Sequence, residues 1–249
     1  MKKNFILIAL SLIFIMSMAS AAVFADYEGA SSWAVPELDK AAGCGLITDR
    51  VMGDVSGNVT REEFAEIVVR MYELSTGKKA EAGNANFTDT TNEEILKAAN
   101  MGMVLGAGGK FSPDNLVTRE QMATILLRAL KVINPEADFS TDGAEKFADD
   151  NMISAYARDG VYYCSKNNLL KGVGGNKFNP QGNSSREAAI IVCLRAYELY
   201  KQASVPQTPA SQQGPQAGPV FTNEILEQNI KKLDSYRRII RTITPATAT

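Results

Sequence analysis

Three arginines of this 249-residue chain stand in one short context. They are Arg61 in Thr60-Arg61-Glu62-Glu63, Arg119 in Thr118-Arg119-Glu120-Gln121 and Arg186 in Ser185-Arg186-Glu187-Ala188. A guanidinium is a planar fork that can grip a carboxylate through two parallel hydrogen bonds. In the first two copies the Thr and the Glu or Gln three residues later form a capping box that opens a helix. The third copy, with Ser185 and Ala188, keeps half of that box. A cation in the first turn opposes the helix dipole at a cost of roughly 0.3–1 kcal/mol. Repeating an unfavourable placement three times implies a task for the arginine. A helix N-terminus, with free N–H groups and the positive dipole end, suits an anion.

The arginines are 58 and then 67 residues apart, and further landmarks fall into the same register. Each unit opens on Phe-x-Asp: Phe24-Ala25-Asp26, Phe87-Thr88-Asp89 and Phe147-Ala148-Asp149. In units one and three an aromatic, Trp33 or Tyr156, lies nine residues after the Phe and is followed by Ala. Apolar spacing of three and four predicts a first helix over about Pro36–Gly43, Glu93–Met101 and Ala155–Asn167, each ending in Gly or Asn. A glycine loop follows, closing on Phe111-Ser112-Pro113 in unit two and Phe178-Asn179-Pro180 in unit three. The Phe is expected to plug the loop onto the core. Unit one, over Leu46–Asn58, lacks both Phe and Pro. The second helix begins at the Thr/Ser cap, with an apolar face such as Phe64, Ile67, Val68 and Met71 in unit one. A lone pair of short helices cannot bury such faces, so the units are expected to pack on one another.

The ends read differently. Lys2 and Lys3, the apolar run Phe5–Met18 and the small residues after it predict a signal peptide over residues 1–22. Because Phe24 belongs to unit one by register, cleavage is expected after Ala21 or Ala22. Repeats are then expected over 23–82, 83–140 and 141–201. Residues 202–220 are rich in Pro, Gln, Ala and Gly and read as a flexible linker. Residues 221–249 read as a basic amphipathic tail whose Phe221–Ile243 stretch either docks on a partner or a second copy, or folds back on the repeats.

Composition narrows the chemistry. The formal net charge is −2, and there is no histidine. The mild acidity argues against nucleic acid. The commonest metal ligand and general base is absent, and no catalytic residue, metal site or cofactor is expected. Cys44, Cys164 and Cys193 form no short-spaced metal motif. Cys164 and Cys193 fall on the two helices of unit three and are either bonded or buried free thiols.

Phe-x-Asp, aromatic-Ala, a first helix, a Gly loop ending Phe-x-Pro and then Thr-Arg-x-Glu resembles the S-layer homology repeat family over about Phe24–Lys201. That resemblance implies an all-α fold: three helix-loop-helix repeats in a pseudo-threefold, three-lobed bundle. It implies a non-catalytic anchor of an exported bacterial protein, binding secondary cell-wall polysaccharide through a pyruvylated sugar in grooves between repeats. The alternative is a structural envelope protein assembling through its tail. By the same likeness Arg61, Arg119 and Arg186 meet the pyruvate carboxylate, Arg119 foremost; otherwise each pairs with its neighbouring Glu or a Phe-x-Asp carboxylate. Asp26, Asp89 and Asp149 either cap helices or orient the arginines. Gly106 and Gly172 let backbone approach the ligand, although loop geometry alone would require them. Trp33 and Tyr156 either stack on sugar or pack in the core, and core packing is the expectation.

Overall fold

The computed structural model describes residues 27–204. These belong to the first of two units into which the chain divides, Met1–Val205 and Pro206–Thr249. The signal peptide, Phe24, Asp26 and the tail lie outside the described residues. Six α-helices are found among the described residues: α1 Val35–Gly43, α2 Arg61–Thr76, α3 Glu93–Asn100, α4 Arg119–Ile133, α5 Arg158–Lys166 and α6 Arg186–Ser204. No strand forms there, only isolated bridges. The all-helical class is as the sequence implied.

The punctuation follows local chemistry. Thr60 and Thr118 complete their capping boxes with Glu63 and Gln121. Ser185 accepts only from the Ala188 amide, at 3.2 Å. The short helices end at equivalent left-handed residues, Gly45, Gly102 and Asn168. Beyond each, an amide returns to the carbonyl five residues back, as in Leu46 to Ala41 at 2.9 Å. In unit three the expected single helix is broken. Ala155–Ala157 is a 3-10 turn, and the α-helix starts at Arg158. α6 runs on to Ser204, past the change of composition at residue 202.

The long helices carry the core. α2 packs on α4 and α6; α1 lies on α6, α3 on α2 and α5 on α4. Each short helix therefore covers a long helix of another unit. Phe64, Ile67, Met122 and Leu126 are fully buried, and the loop residues Phe111 and Phe178 are buried as expected. Phe111 meets Phe87 at 5.5 Å between ring centroids, and Phe178 meets Phe147 at 5.2 Å. Phe-x-Asp thus supplies the seat for the loop's plug.

The units are joined by backbone. The Val59 amide donates to Ser184 O (2.9 Å), Ser184 to Val117 O (3.0 Å) and Val117 to Val59 O (3.0 Å), closing a ring of three bonds. Beside it, each long helix sends its first two amides into a neighbouring unit's loop. Arg61 and Glu62 donate to Asn115 and Pro113, Arg119 and Glu120 to Gly182 and Pro180, and Arg186 and Glu187 to Gly57 and Val55. These bonds satisfy N–H groups that a helix start would otherwise leave open.

Candidate functional site

The motif arginines leave their own helices and reach the loop of the next unit. Arg61 Nε donates to Phe111 O (3.0 Å) and Nη2 to Leu105 O (2.9 Å). Its guanidinium lies 4.5 Å above the Phe111 ring centroid. Arg119 repeats the arrangement, donating to Phe178 O (2.8 Å) and Lys171 O, 4.8 Å above the Phe178 ring. Neither has an ion pair among the described residues, and neither Nη1 is bonded there. Burial lowers the pKa of both, opposed by the charges of Asp89 and Asp149 respectively. Both guanidiniums nonetheless stay charged. They are desolvated cations with no carboxylate in contact.

Arg186 differs. Its Nε and Nη2 both sit 2.9 Å from Glu63 Oε1, and Nη1 donates to Asp54 O (3.0 Å). The residue at the third position of the neighbouring long helix decides this. That residue is Glu63 opposite Arg186. The same position holds Gln121 on α4, in the groove of Arg61, and Ala188 on α6.

Two sequence expectations are corrected here. The first-turn amides are not free for an anion, because loop carbonyls of the neighbouring unit occupy them. Nor, among the described residues, do the arginines pair with an adjacent Glu or with the Phe-x-Asp carboxylates Asp89 and Asp149. Asp89 and Asp149 hold loop backbone instead: Asp89 accepts from the Phe111 and Ser112 amides, Asp149 from Phe178 and Asn179, all at 2.8 Å. These amides, Phe111 foremost, lower the Asp89 pKa; at Asp149 they outweigh the effect of burial. Each Asp therefore fixes the residue whose carbonyl the arginine grips. Gly106 and Gly172 serve the loop too. A Cβ on Gly106 would lie 2.4 Å from Phe87, and one on Gly172 2.7 Å from the Lys177 carbonyl oxygen.

The Glu following Arg119 and the Glu following Arg186 each hold a serine that precedes an aromatic. Glu120 accepts from the Ser154 amide (2.9 Å) and hydroxyl (2.8 Å) and from Tyr156 Oη (3.0 Å). Glu187 accepts from the Ser31 amide and hydroxyl, both at 2.9 Å. Trp33 is thereby the counterpart of Tyr156, each two residues beyond its serine. In unit two Asn92 binds Glu62 instead, and Glu94 stands where the aromatic would be. Core packing was expected of both rings, yet Trp33 is 59% exposed and Tyr156 57% exposed.

Arg61, Tyr156 and Leu105 edge a groove of about 180 Å³ floored by Gln121, Thr124, Ile125 and Arg128 of α4. Arg128 was not singled out from the sequence. A signal was there: an arginine recurs nine residues after each motif arginine, as Arg70, Arg128 and Arg195. A second groove, of about 350 Å³, lies where Lys171, Arg195 and Glu37 meet. The thiols of Cys44, Cys164 and Cys193 are free. Burial pushes Cys164 up to about 12 and raises Cys193 too.

Fold and site together define an all-helical repeat module with a cationic groove edged by Tyr156 and a second groove of mixed charge. Residues 87–123 and 146–190 match the family described as S-layer homology domain. These two segments carry the repeat of that family, whose domains anchor proteins at the cell surface and bind cell-wall polysaccharide. The chain is exported and wall-associated. It is 32% identical over 143 residues to Exoglucanase XynX of Acetivibrio thermocellus, covering 55% of this chain and 13% of that protein. It is 31% identical over 196 residues to an endoglucanase of Bacillus sp. (strain KSM-635), covering 76% of this chain and 20% of the relative. It is 27% identical over 199 residues to the Surface-layer 125 kDa protein of Lysinibacillus sphaericus, covering 74% and 16%. The chain thus spans a fifth or less of the length of these relatives.

Proposed function

We propose that this chain is a non-catalytic anchor that binds an acidic secondary wall polysaccharide in the grooves of Arg61 and Arg119, with a pyruvate ketal as the acidic group. The observation that carries this reading is the pair of desolvated guanidiniums lacking a carboxylate. Arg61 shares its groove with the exposed Tyr156, and the repeat register makes the exposed Trp33 the counterpart of that ring for Arg119. A ligand carboxylate completes the fork, and the ring covers the sugar's apolar face. The third site is closed by its own Glu63 and lacks an aromatic. Lateral assembly through 221–249 is the other reading, and it rests on residues outside those described.

Co-sedimentation of the mature protein with purified sacculi tests the proposal. Wild type is expected to pellet, the double variant R61Q/R119Q to stay in solution, and R186Q to pellet. Melting curves of each variant separate lost binding from a loosened loop. Equal binding to sacculi stripped of secondary polymer would overturn the reading.

A further inference from the structure

The second arginine series separates the two open grooves, and it bears on the charge of what they take. Arg70 donates to Gly45 O (2.7 Å) and lies 3.9 Å from Glu73. Arg195 is held by Glu37 through two bonds, at 3.2 and 2.9 Å. Arg128 has no hydrogen bond or ion pair among the described residues, although it lines the same groove as Arg61. The cause is steric. Glu37 lies six residues beyond Ser31; six residues beyond Ser154 is Gly160. A Cβ on Gly160 would be 2.8 Å from the Ala123 carbonyl oxygen, so no side chain, and no carboxylate, can stand there.

The Arg61 groove therefore holds two guanidiniums and no carboxylate in contact with either. Tyr156, whose hydroxyl is bonded to Glu120, lines the groove with both arginines. At about 180 Å³ the groove is smaller than the ~300 Å³ at which small-molecule pockets begin. Both cations line this one small groove.

We propose that the groove between Arg61 and Arg128 selects a doubly anionic sugar, carrying either two carboxylates or one phosphomonoester, with Arg128 as the residue that sets this specificity. The groove of Arg119, whose second arginine is neutralised by Glu37, takes singly charged sugars. This rests on the anchoring reading above. Arg61 fixes one oxyanion through its open Nη1 edge, and Arg128 meets the second.

The test uses the mature chain carrying Arg119→Ala, so that one groove reports. Wall glycan released from sacculi is titrated first, then three probes: glucuronic acid, glucose 6-phosphate, and a hexuronic acid bearing a second carboxylate on an ether arm. The doubly charged probes are expected to bind about tenfold more tightly than glucuronic acid. Whichever of the two binds better names the source of the second charge. R128Q should erase that advantage while changing glucuronate affinity less than about twofold, and R61Q should abolish binding of all three. Arg128 makes no hydrogen bond or ion pair among the described residues, so R128Q should melt like its parent. Equal weakening of singly and doubly charged probes by R128Q, or no preference in its parent, would overturn this inference alone. Failure of the wild-type chain to bind wall glycan would overturn the anchoring reading with it.

Discussion

The change Gln121→Glu should switch off the Arg61 groove without touching its arginine. Replacing Arg61 itself is ambiguous, because its bonds to Phe111 and Leu105 also hold the loop. Position 121 avoids this. Glu63, at the same place on α2, performs two tasks at once: Oε2 accepts from the Thr60 amide at 2.8 Å, and Oε1 pairs with Arg186 at 2.9 Å. Gln121 performs only the capping task, accepting from Thr118 N at 3.2 Å. A Glu there keeps the capping box and places a carboxylate against Arg61. The Glu63–Arg186 pair has side chains 8% and 23% exposed. A pair so enclosed falls between about 1 kcal/mol for an exposed contact and about 4 kcal/mol for one near a protein surface at 4 Å. A ligand carboxylate must displace it, so affinity should fall at least about fivefold, or about 1 kcal/mol. Calorimetric titration of wall glycan into R119A and R119A/Q121E measures this, with Tm expected to hold or rise. Equal affinity in the two would show that Arg61 does not meet the anion.

Two further outcomes concern stability. Ser184 is 4% exposed, and its hydroxyl has no partner among the described residues, where the equivalent residues Val59 and Val117 are fully buried and apolar. S184V should stabilise the module by about 1 kcal/mol, a Tm rise of about 2–4 °C for a domain of this size; an unchanged or lower Tm would show that the hydroxyl is satisfied. Glu120 titrates below its ordinary 4.5 because bonds from Ser154, Gln181 and Tyr156 outweigh its burial. Its stabilising contribution is therefore complete above that value and lost as pH falls through the lower folded value. The urea midpoint should hold from neutral pH to about 5 and then drop, with a shallower drop in E120Q; a midpoint that rises on acidification would refute the assignment.

The repeat, its helices and its caps were legible because they are local. Thr60 and Glu63 are three residues apart, and Gly45, Gly102 and Asn168 stop helices wherever the chain goes next. What could not be read was which unit each motif serves. Arg61 looks like a first-turn residue of its own helix, yet its partners lie about fifty residues on, at Phe111. The same holds for Glu120 and Ser154, and for Glu187 and Ser31. The exposure of Trp33 and Tyr156 was misjudged for a related reason. An aromatic beside alanine reads as core until the serine two residues before it is seen tethered to another unit's glutamate. Arg128 went unremarked because its difference from Arg70 and Arg195 lies in the bonds it lacks, and Gly160, which causes that, is silent in the sequence.

The ring of backbone bonds through Val59, Val117 and Ser184 makes the copy number a closed quantity. In an open stack each repeat meets only its neighbours, and arrays lengthen or shorten at their ends. Here the loop of unit one, through Val55 and Gly57, is what receives the start of α6. Among the described residues each unit is bonded to the other two, so removing one would unmake two junctions. Selection can retune individual grooves by side chain, as at positions 63, 121 and 188, without touching these junctions. Valency in such a protein is therefore set by which grooves are left open, not by how many repeats are strung together.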